Sequence, residues 1–307
     1  MLSCFYSLVL VIFLFPATVA QPKPGKPSVP LRYDAALSTA GFPNPLVRAT
    51  IQGRQALFII DTGAGVNTFA AWFAKAAGLP VHDSTATVRG STGEENHIQV
   101  VSGISGVFDD GTPLRLDEAI VVDLPRIFED HQLGGLLSPQ LLAPAGQAAL
   151  LDLRVPVLVF QPFNEALAKL PLEAGVLSEG NVCTNRESQF TNRQYAARVS
   201  VDDASGTLLL DTGATRTLVV ANSGIGQKLS HRSVEKGRTV GVGGTVTNGR
   251  RAAGVNLDLG GVKTMLDLTI GGSSSDCGPD GLLGMDVLRK CVLLLDVSRV
   301  AFSCAKQ

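Results

Sequence analysis

The stretch Leu57-Phe58-Ile59-Ile60-Asp61-Thr62-Gly63-Ala64 returns further along the chain as Leu208-Leu209-Leu210-Asp211-Thr212-Gly213-Ala214. Each is an apolar run of strand type that stops at Asp-Thr-Gly-Ala. A second pair follows at a similar distance, Gly135-Leu136-Leu137-Ser138-Pro139-Gln140-Leu141-Leu142 and Gly281-Leu282-Leu283-Gly284-Met285-Asp286-Val287-Leu288. A third closes each copy: Leu150-Leu151-Asp152-Leu153 ahead of Val155 to Phe160, and Leu294-Leu295-Asp296-Val297 ahead of Val300 to Cys304. Three landmarks in one order identify an internal duplication. The chain then divides into segments 1–20, 21–42, a first repeat at 43–161, a joint at 162–194 and a second repeat at 195–307. The joint is polar and carries Pro171, Gly175 and Gly180, as linkers between domains do.

Composition agrees with two folded units. The chain has 307 residues, 45% of them hydrophobic, with 33 glycines, which excludes a disordered polymer. Its 26 basic and 27 acidic residues nearly cancel, so no overall field draws it to nucleic acid or to an acidic membrane. Val, Ile, Leu, Thr and Gly outweigh helix-favouring charge patterns and predict short strands. Strand-like runs cover 47–51, 57–60, 119–123 and 151–160 in the first copy, then 197–201, 208–210 and 292–295 in the second. One helix is predicted over Phe69 to Ala77, capped by Asn67 or Thr68 and ending at Gly78, with Phe69, Trp72 and Phe73 on its core face.

The first 20 residues contain no Lys, Arg, Asp or Glu, and the apolar run Leu8 to Phe15 leads into Pro16, Ala17, Thr18 and Ala20. That layout predicts a secretory signal peptide cleaved after Ala20, hence a secreted or periplasmic protein without a stable membrane span. An uncleaved leader would instead leave a membrane anchor. Gln21 to Pro30 reads as an extended, solvated linker. Export leaves Cys183, Cys277, Cys291 and Cys304, an even set in an oxidising compartment. The segment from Cys291 to Cys304 reads as a hairpin in which pairing Leu295 with Val300 sets Cys291 opposite Cys304, close enough to bridge. Elimination then predicts Cys183–Cys277. No zinc-type CxxC spacing and no HExxH occurs among His82, His97, His131 and His231, so neither metal nor cofactor is expected.

One Asp-Thr-Gly is weak evidence, because Asp and Gly are common at strand ends. Two at equivalent places in two repeats are different: a pseudo-twofold arrangement brings Asp61 and Asp211 face to face across a cleft. Two carboxyls that close share one proton, so one serves as base and the other as acid. Such a pair can activate a water held between them against a peptide carbonyl. Gly63 and Gly213 allow the sharp turn and the close approach of their amides. Thr62 and Thr212, turned inward, can hydrogen-bond across the axis.

On these residues the chain resembles the pepsin and retropepsin superfamily of aspartic peptidases. The Asp-Thr-Gly-Ala form and the Gly-Leu-Leu-Gly-Met-Asp-Val-Leu segment look most like retropepsin-like bacterial members. The resemblance covers Pro43 to Cys304, strongly at the motif pairs and weakly between them. It implies an all-β fold of two similar acid-protease-type β-barrel lobes related by a pseudo-twofold axis, with the active-site cleft between them. It further implies catalytic Asp61 and Asp211 and an extended peptide or protein substrate. Both lobes lie in one chain, so a monomer suffices. It also implies flaps, for which Gly90, Ser91, Thr92 and Gly93 in the first repeat and Gly243 and Gly244 in the second are candidates, unless both are ordinary surface hairpins. Three departures stand out. No flap tyrosine has a counterpart near Arg89. Ser138 stands where a glycine like Gly284 is expected. Ala64 and Ala214 replace hydroxyl residues that would donate to the carboxyls, which predicts a dyad titrating higher and a less acidic optimum than in pepsins.

Duplicated Asp-x-Gly loops also wrap phosphates in actin-like ATPases and sugar kinases. The leader and the short repeats oppose that reading, and Arg250 and Arg251 stand where a Walker A sequence needs Lys and Ser or Thr. A peptide-binding protein with a misaligned dyad, and a zymogen closed by Gln21 to Ala40, are the remaining alternatives.

Overall fold

A computed structural model of the chain describes residues 28–89, 95–170, 175–179, 194–232, 235–241, 244–272, 278–296 and 299–305. Strand β1 (Ser28–Pro30) and helix α1 (Ala35–Thr39) precede the first repeat. That repeat supplies β2 (Leu46–Ile51), β3 (Arg54–Ile60), β4 (Thr68–Ala70), α2 (Ala71–Ala76), β5 (His82–Arg89), β6 (Glu95–Phe108), β7 (Pro113–Val122), α3 (Ile127–Asp130), β8 (Leu133–Leu137) and α4 (Pro139–Leu142). β9 (Ala148–Asp152), β10 (Val157–Gln161), α5 (Phe163–Leu167) and β11 (Gly175–Glu179) follow. The second repeat supplies β12 (Ala196–Val201), β13 (Ala204–Leu210), β14 (Leu218–Val219), α6 (Gly224–Leu229), β15 (Glu235–Gly241), β16 (Gly244–Leu259), β17 (Val262–Ile270), β18 (Gly281–Leu283) and α7 (Met285–Leu288). The chain closes with β19 (Cys291–Leu295) and β20 (Arg299–Cys304).

Each repeat is a closed six-stranded barrel. In the first the order is β2-β3-β8-β4-β7-β6, closed by pairing of β2 with β6, and β5 hangs on β6 as a hairpin arm. The second has the same order with β12-β13-β18-β14-β17-β16 and β15 as the arm. Closure leaves few free edges, and alternate residues of β2 and β3 fill the interior, among them Val47, Ala49, Phe58 and Ile60. The tight turn from β2 to β3 is made by Gln52 and Gly53, both at positive φ, as a two-residue hairpin requires. The all-β, two-lobed fold class expected from the duplication is the one observed.

A third sheet joins the lobes in the order β1-β10-β9-β19-β20-β11, three strands from each half of the chain. At its centre β9 and β19 run antiparallel, with Leu150 opposite Leu294, its own counterpart in the repeat. All five residues of β19 are buried because both faces are covered. Leu293 and Leu295 belong to the main core beneath the lobes, while Val292 and Leu294 pack with Phe163, Ala166 and Leu170 around α5.

Several local expectations change. Residues 28–30, read as solvated linker, form β1 paired to β10, because Val29 at 1% exposure and Leu31 at 6% have apolar sites to fill. The run 151–160 is not one strand: it folds back between Asp152 and Val157, where Asp152 accepts the main-chain N–H groups of Arg154 and Val155. The predicted helix begins only at Ala71, since Thr68 to Ala70 pair with β7 and β8 instead. Asn67 does not cap it; its Oδ1 accepts from the Ser138 N–H. The core role of Phe69, Trp72 and Phe73 holds, with Phe58, Phe69 and Phe73 in edge and tilted ring contacts 5.2–6.0 Å apart. The joint at 162–194 opens with α5 and includes β11, so part of it is packed structure. Cys291 lies opposite Cys304 and is bonded to it. Residues 1–20, Cys183 and Cys277 lie outside the described residues.

Candidate active site

Both Asp-Thr-Gly loops leave the ends of parallel-paired central strands, β3 beside β8 and β13 beside β18. The Asp61 N–H donates to Leu137 O and the Asp211 N–H to Leu283 O, which fixes each aspartate at its strand end. One glycine in each partner strand passes so close to a neighbouring strand that no side chain fits. A Cβ on Gly135 would lie 2.0 Å from Thr68 O, and one on Gly281 would lie 2.0 Å from Leu218 O. This is the physical content of the second landmark pair.

The loops meet at the pseudo-twofold. Thr62 and Thr212 exchange hydrogen bonds in full reciprocity. The Thr62 N–H donates to Thr212 Oγ1 at 3.0 Å and the Thr212 N–H to Thr62 Oγ1 at 3.1 Å. The Thr62 hydroxyl donates to Leu210 O and the Thr212 hydroxyl to Ile60 O, each at 2.6 Å. Both threonines are completely buried. Four bonds therefore lock one loop to the other at the lobe interface.

Above them the Asp61 and Asp211 carboxyls face each other, close enough for each to shift the titration of the other. Each also lies against the glycine of the opposite loop: a Cβ on Gly213 would fall 2.4 Å from Asp61 Cγ, and one on Gly63 would fall 2.5 Å from Asp211 Cγ. Any residue other than glycine would displace a carboxyl. Asp61 Oδ1 accepts the N–H groups of Gly63 at 2.8 Å and Ala64 at 3.1 Å. Asp211 Oδ1 accepts that of Ala214 at 2.9 Å. Burial pushes both carboxyls above the usual carboxylate range, and main-chain donors pull Asp61 part of the way back. Asp211 stands well above that range, through burial first and then the neighbouring Asp61 charge. Two carboxyls this close and this far removed from solvent favour holding one proton between them over ionising together.

Support around the loops is similar in plan and different in residues. The Ser138 N–H donates to Asn67 Oδ1 at 2.9 Å, and at the same place in the second lobe the Gly284 N–H donates to Thr217 Oγ1 at 3.2 Å. Ser138 thus keeps the link that the glycine makes, while a Cβ on Gly284 would strike the Arg216 backbone at 2.5 Å. Asp286 accepts both the N–H and the hydroxyl of Thr217, at 2.7–3.0 Å. Its counterpart Gln140 instead donates to the carbonyls of Thr62 and Ala64.

Two further residues were not legible from the motifs. Asn44 Nδ2 donates to Thr212 O at 2.7 Å and to Gly213 O at 2.9 Å, reaching from the first repeat into the second. Gln194 Nε2 donates to Gly63 O in the mirror direction. The available signal was an amide side chain 17 residues ahead of each aspartate. Of the flap candidates, Gly90 to Gly93 and Gly243 lie outside the described residues. Gly244 opens β16, opposite Gly241 of β15, at the end of the second hairpin arm.

Two barrels that each bring an Asp-Thr-Gly loop to a common axis make up the two-lobed acid-protease fold, and the comparisons agree with that fold. The aspartyl protease family model matches residues 47–112, which include the Asp61 loop. The crystal structure of aspartic proteinase from Irpex lacteus shares the fold with a TM-score of 0.53 at 12% identity, over 91% of this chain and 97% of that one. No curated protein matches the chain.

Proposed function

We propose that the chain is an aspartic endopeptidase whose nucleophile is a water activated by Asp61 and Asp211. The observation that carries this reading is the pair of carboxyls that face each other across the axis, each against the glycine of the opposite loop and unequal in their main-chain donors. Asp61, as carboxylate, takes a proton from the water as its oxygen attacks the peptide carbonyl carbon. Asp211 gives its proton to the carbonyl oxygen, which yields a tetrahedral gem-diol. Proton transfer to the nitrogen then lets the C–N bond break, and the dyad is left with one proton as before. Both acids come from one chain, so a monomer is sufficient, and the substrate is an extended peptide lying between the lobes. The leader sequence supports export to a secreted or periplasmic location, where the Cys291–Cys304 bond is stable.

Cleavage of an unstructured protein such as casein, followed across pH, tests the proposal. Asp61→Asn and Asp211→Asn are each expected to abolish hydrolysis, and a statine-type inhibitor to block the wild type. Activity surviving both substitutions refutes the dyad. A wild type that binds the inhibitor but cleaves nothing is a peptide-binding protein on this fold.

A further inference from the structure

The carboxyls of the dyad lean on main-chain N–H groups, and in a trans peptide each N–H points away from the carbonyl of its own unit. In both loops those carbonyls are held from behind by side-chain amides. The Thr62 carbonyl, whose unit supplies the Gly63 N–H, accepts from Gln140 Nε2. The Gly63 carbonyl, whose unit supplies the Ala64 N–H, accepts from Gln194 Nε2. In the second lobe Asn44 Nδ2 serves two units at once. It holds the Thr212 carbonyl, whose unit carries the Gly213 N–H, and the Gly213 carbonyl, whose unit carries the Ala214 N–H donated to Asp211.

We propose that Asn44 is a positioning residue of the dyad, with Gln194 as its mirror and Gln140 beside it, and that these amides orient and polarise the peptide units whose N–H groups hold the Asp61 and Asp211 carboxyls. The proposal rests on the dyad reading given above. A donor placed on a carbonyl strengthens the hydrogen bond made by the N–H of the same unit. That compensates for Ala64 and Ala214, which bring no hydroxyl to the site. The geometry distinguishes this role from simple adhesion of the lobes, because the amides contact the peptide units that serve the carboxyls. Asn44 is wholly buried and serves the second loop with bonds of 2.7 and 2.9 Å, whereas the Gln140 bonds in the first loop are 3.3–3.4 Å. The greatest effect therefore belongs to Asn44.

The test is a carboxyl-carbon NMR titration of the full chain, with the two signals assigned by Asp61→Asn and Asp211→Asn, run beside kcat and KM measurements on a peptide substrate. The titratable group facing each carboxyl is the other carboxyl. Asn44→Ala is expected to raise the pH at which the pair gives up its shared proton by about one unit, since donors to the anion weaken. It is also expected to lower kcat about tenfold or more while KM moves less than about threefold. Gln194→Ala should shift the titration in the same direction by less. If Asn44→Ala does not fold by circular dichroism, Asn44→Gln, which keeps the NH2 group but moves it by one methylene, is expected to show the same upward shift. A folded Asn44 variant with the wild-type titration, within about 0.2 unit, and the wild-type kcat overturns the positioning role and leaves the dyad intact. A wild type whose two carboxyls titrate independently overturns the dyad reading itself.

Discussion

At the scale of single residues, hydroxyls and buried carboxyls dominate. Each threonine of the Asp-Thr-Gly loops gives one proton and takes one across the lobe boundary, so Thr62→Val leaves the Leu210 carbonyl and the Thr212 N–H unpaired in the interior. A loss of roughly 2–4 kcal/mol is expected in chemical denaturation, while Thr62→Ser, which retains the hydroxyl, should lose about 1 kcal/mol or less. Asp211 has the opposite character. Its pKa is raised in the folded state, so its contribution to stability is present below the ordinary carboxylate pKa and is lost as pH rises through the folded value. Asp211→Asn removes that loss and keeps an acceptor for the Ala214 N–H. The variant is therefore expected to melt above the wild type at neutral pH, and the difference should vanish in acid. Calorimetry at several pH values measures both. The aspartates, threonines and glycines were all readable in the sequence because each occurs twice. Asn44 and Gln194 were not, because their partners lie in the other repeat and a side-chain amide has no fixed role until the fold supplies carbonyls to it.

At the scale of elements, pairing decided what was legible. The hairpin β19–β20 could be derived in full, register included, because its strands are adjacent in sequence and its pattern is continuous. Cys291 and Cys304 are both buried and 13 residues apart. Replacing both with alanine is expected to cost about 3 kcal/mol in urea denaturation, the loop-closure value for a ring of that size. The start of α2 was misplaced for the converse reason. Thr68 to Ala70 take up strand pairing with β7, which lies some fifty residues further along and leaves no mark on the local pattern. The interior turn at 153–156 was likewise hidden, since Leu153 and Val155 prolong an apolar run that the Asp152 carboxylate interrupts.

At the scale of the whole molecule, the joining sheet ties both ends of the chain into one body. Val29 and Leu31 are buried in its margin, so a chain beginning at Asp34 is expected to lose about 3–5 kcal/mol relative to one beginning at Ser28, seen as an earlier urea midpoint. A segment so embedded is part of the fold, and any inhibitory pro-segment would have to end ahead of it. The raised dyad and the alanines after both glycines carry a whole-enzyme prediction as well: peptide cleavage should peak at a less acidic pH than in pepsins, and a sharply acidic maximum would contradict it.

The seam at which Leu150 meets Leu294 has a historical meaning. A contact in which a residue faces its own counterpart is the signature of a two-fold homodimer, and two separate one-lobe chains would make the same seam. In such a dimer every substitution is imposed on both sides of the cleft together. Once the copies share one chain each side can change alone, and Gln140 opposite Asp286, or Asn67 opposite Thr217, are places where it has. With both copies in one chain, the two walls of a symmetric cleft are free to differ.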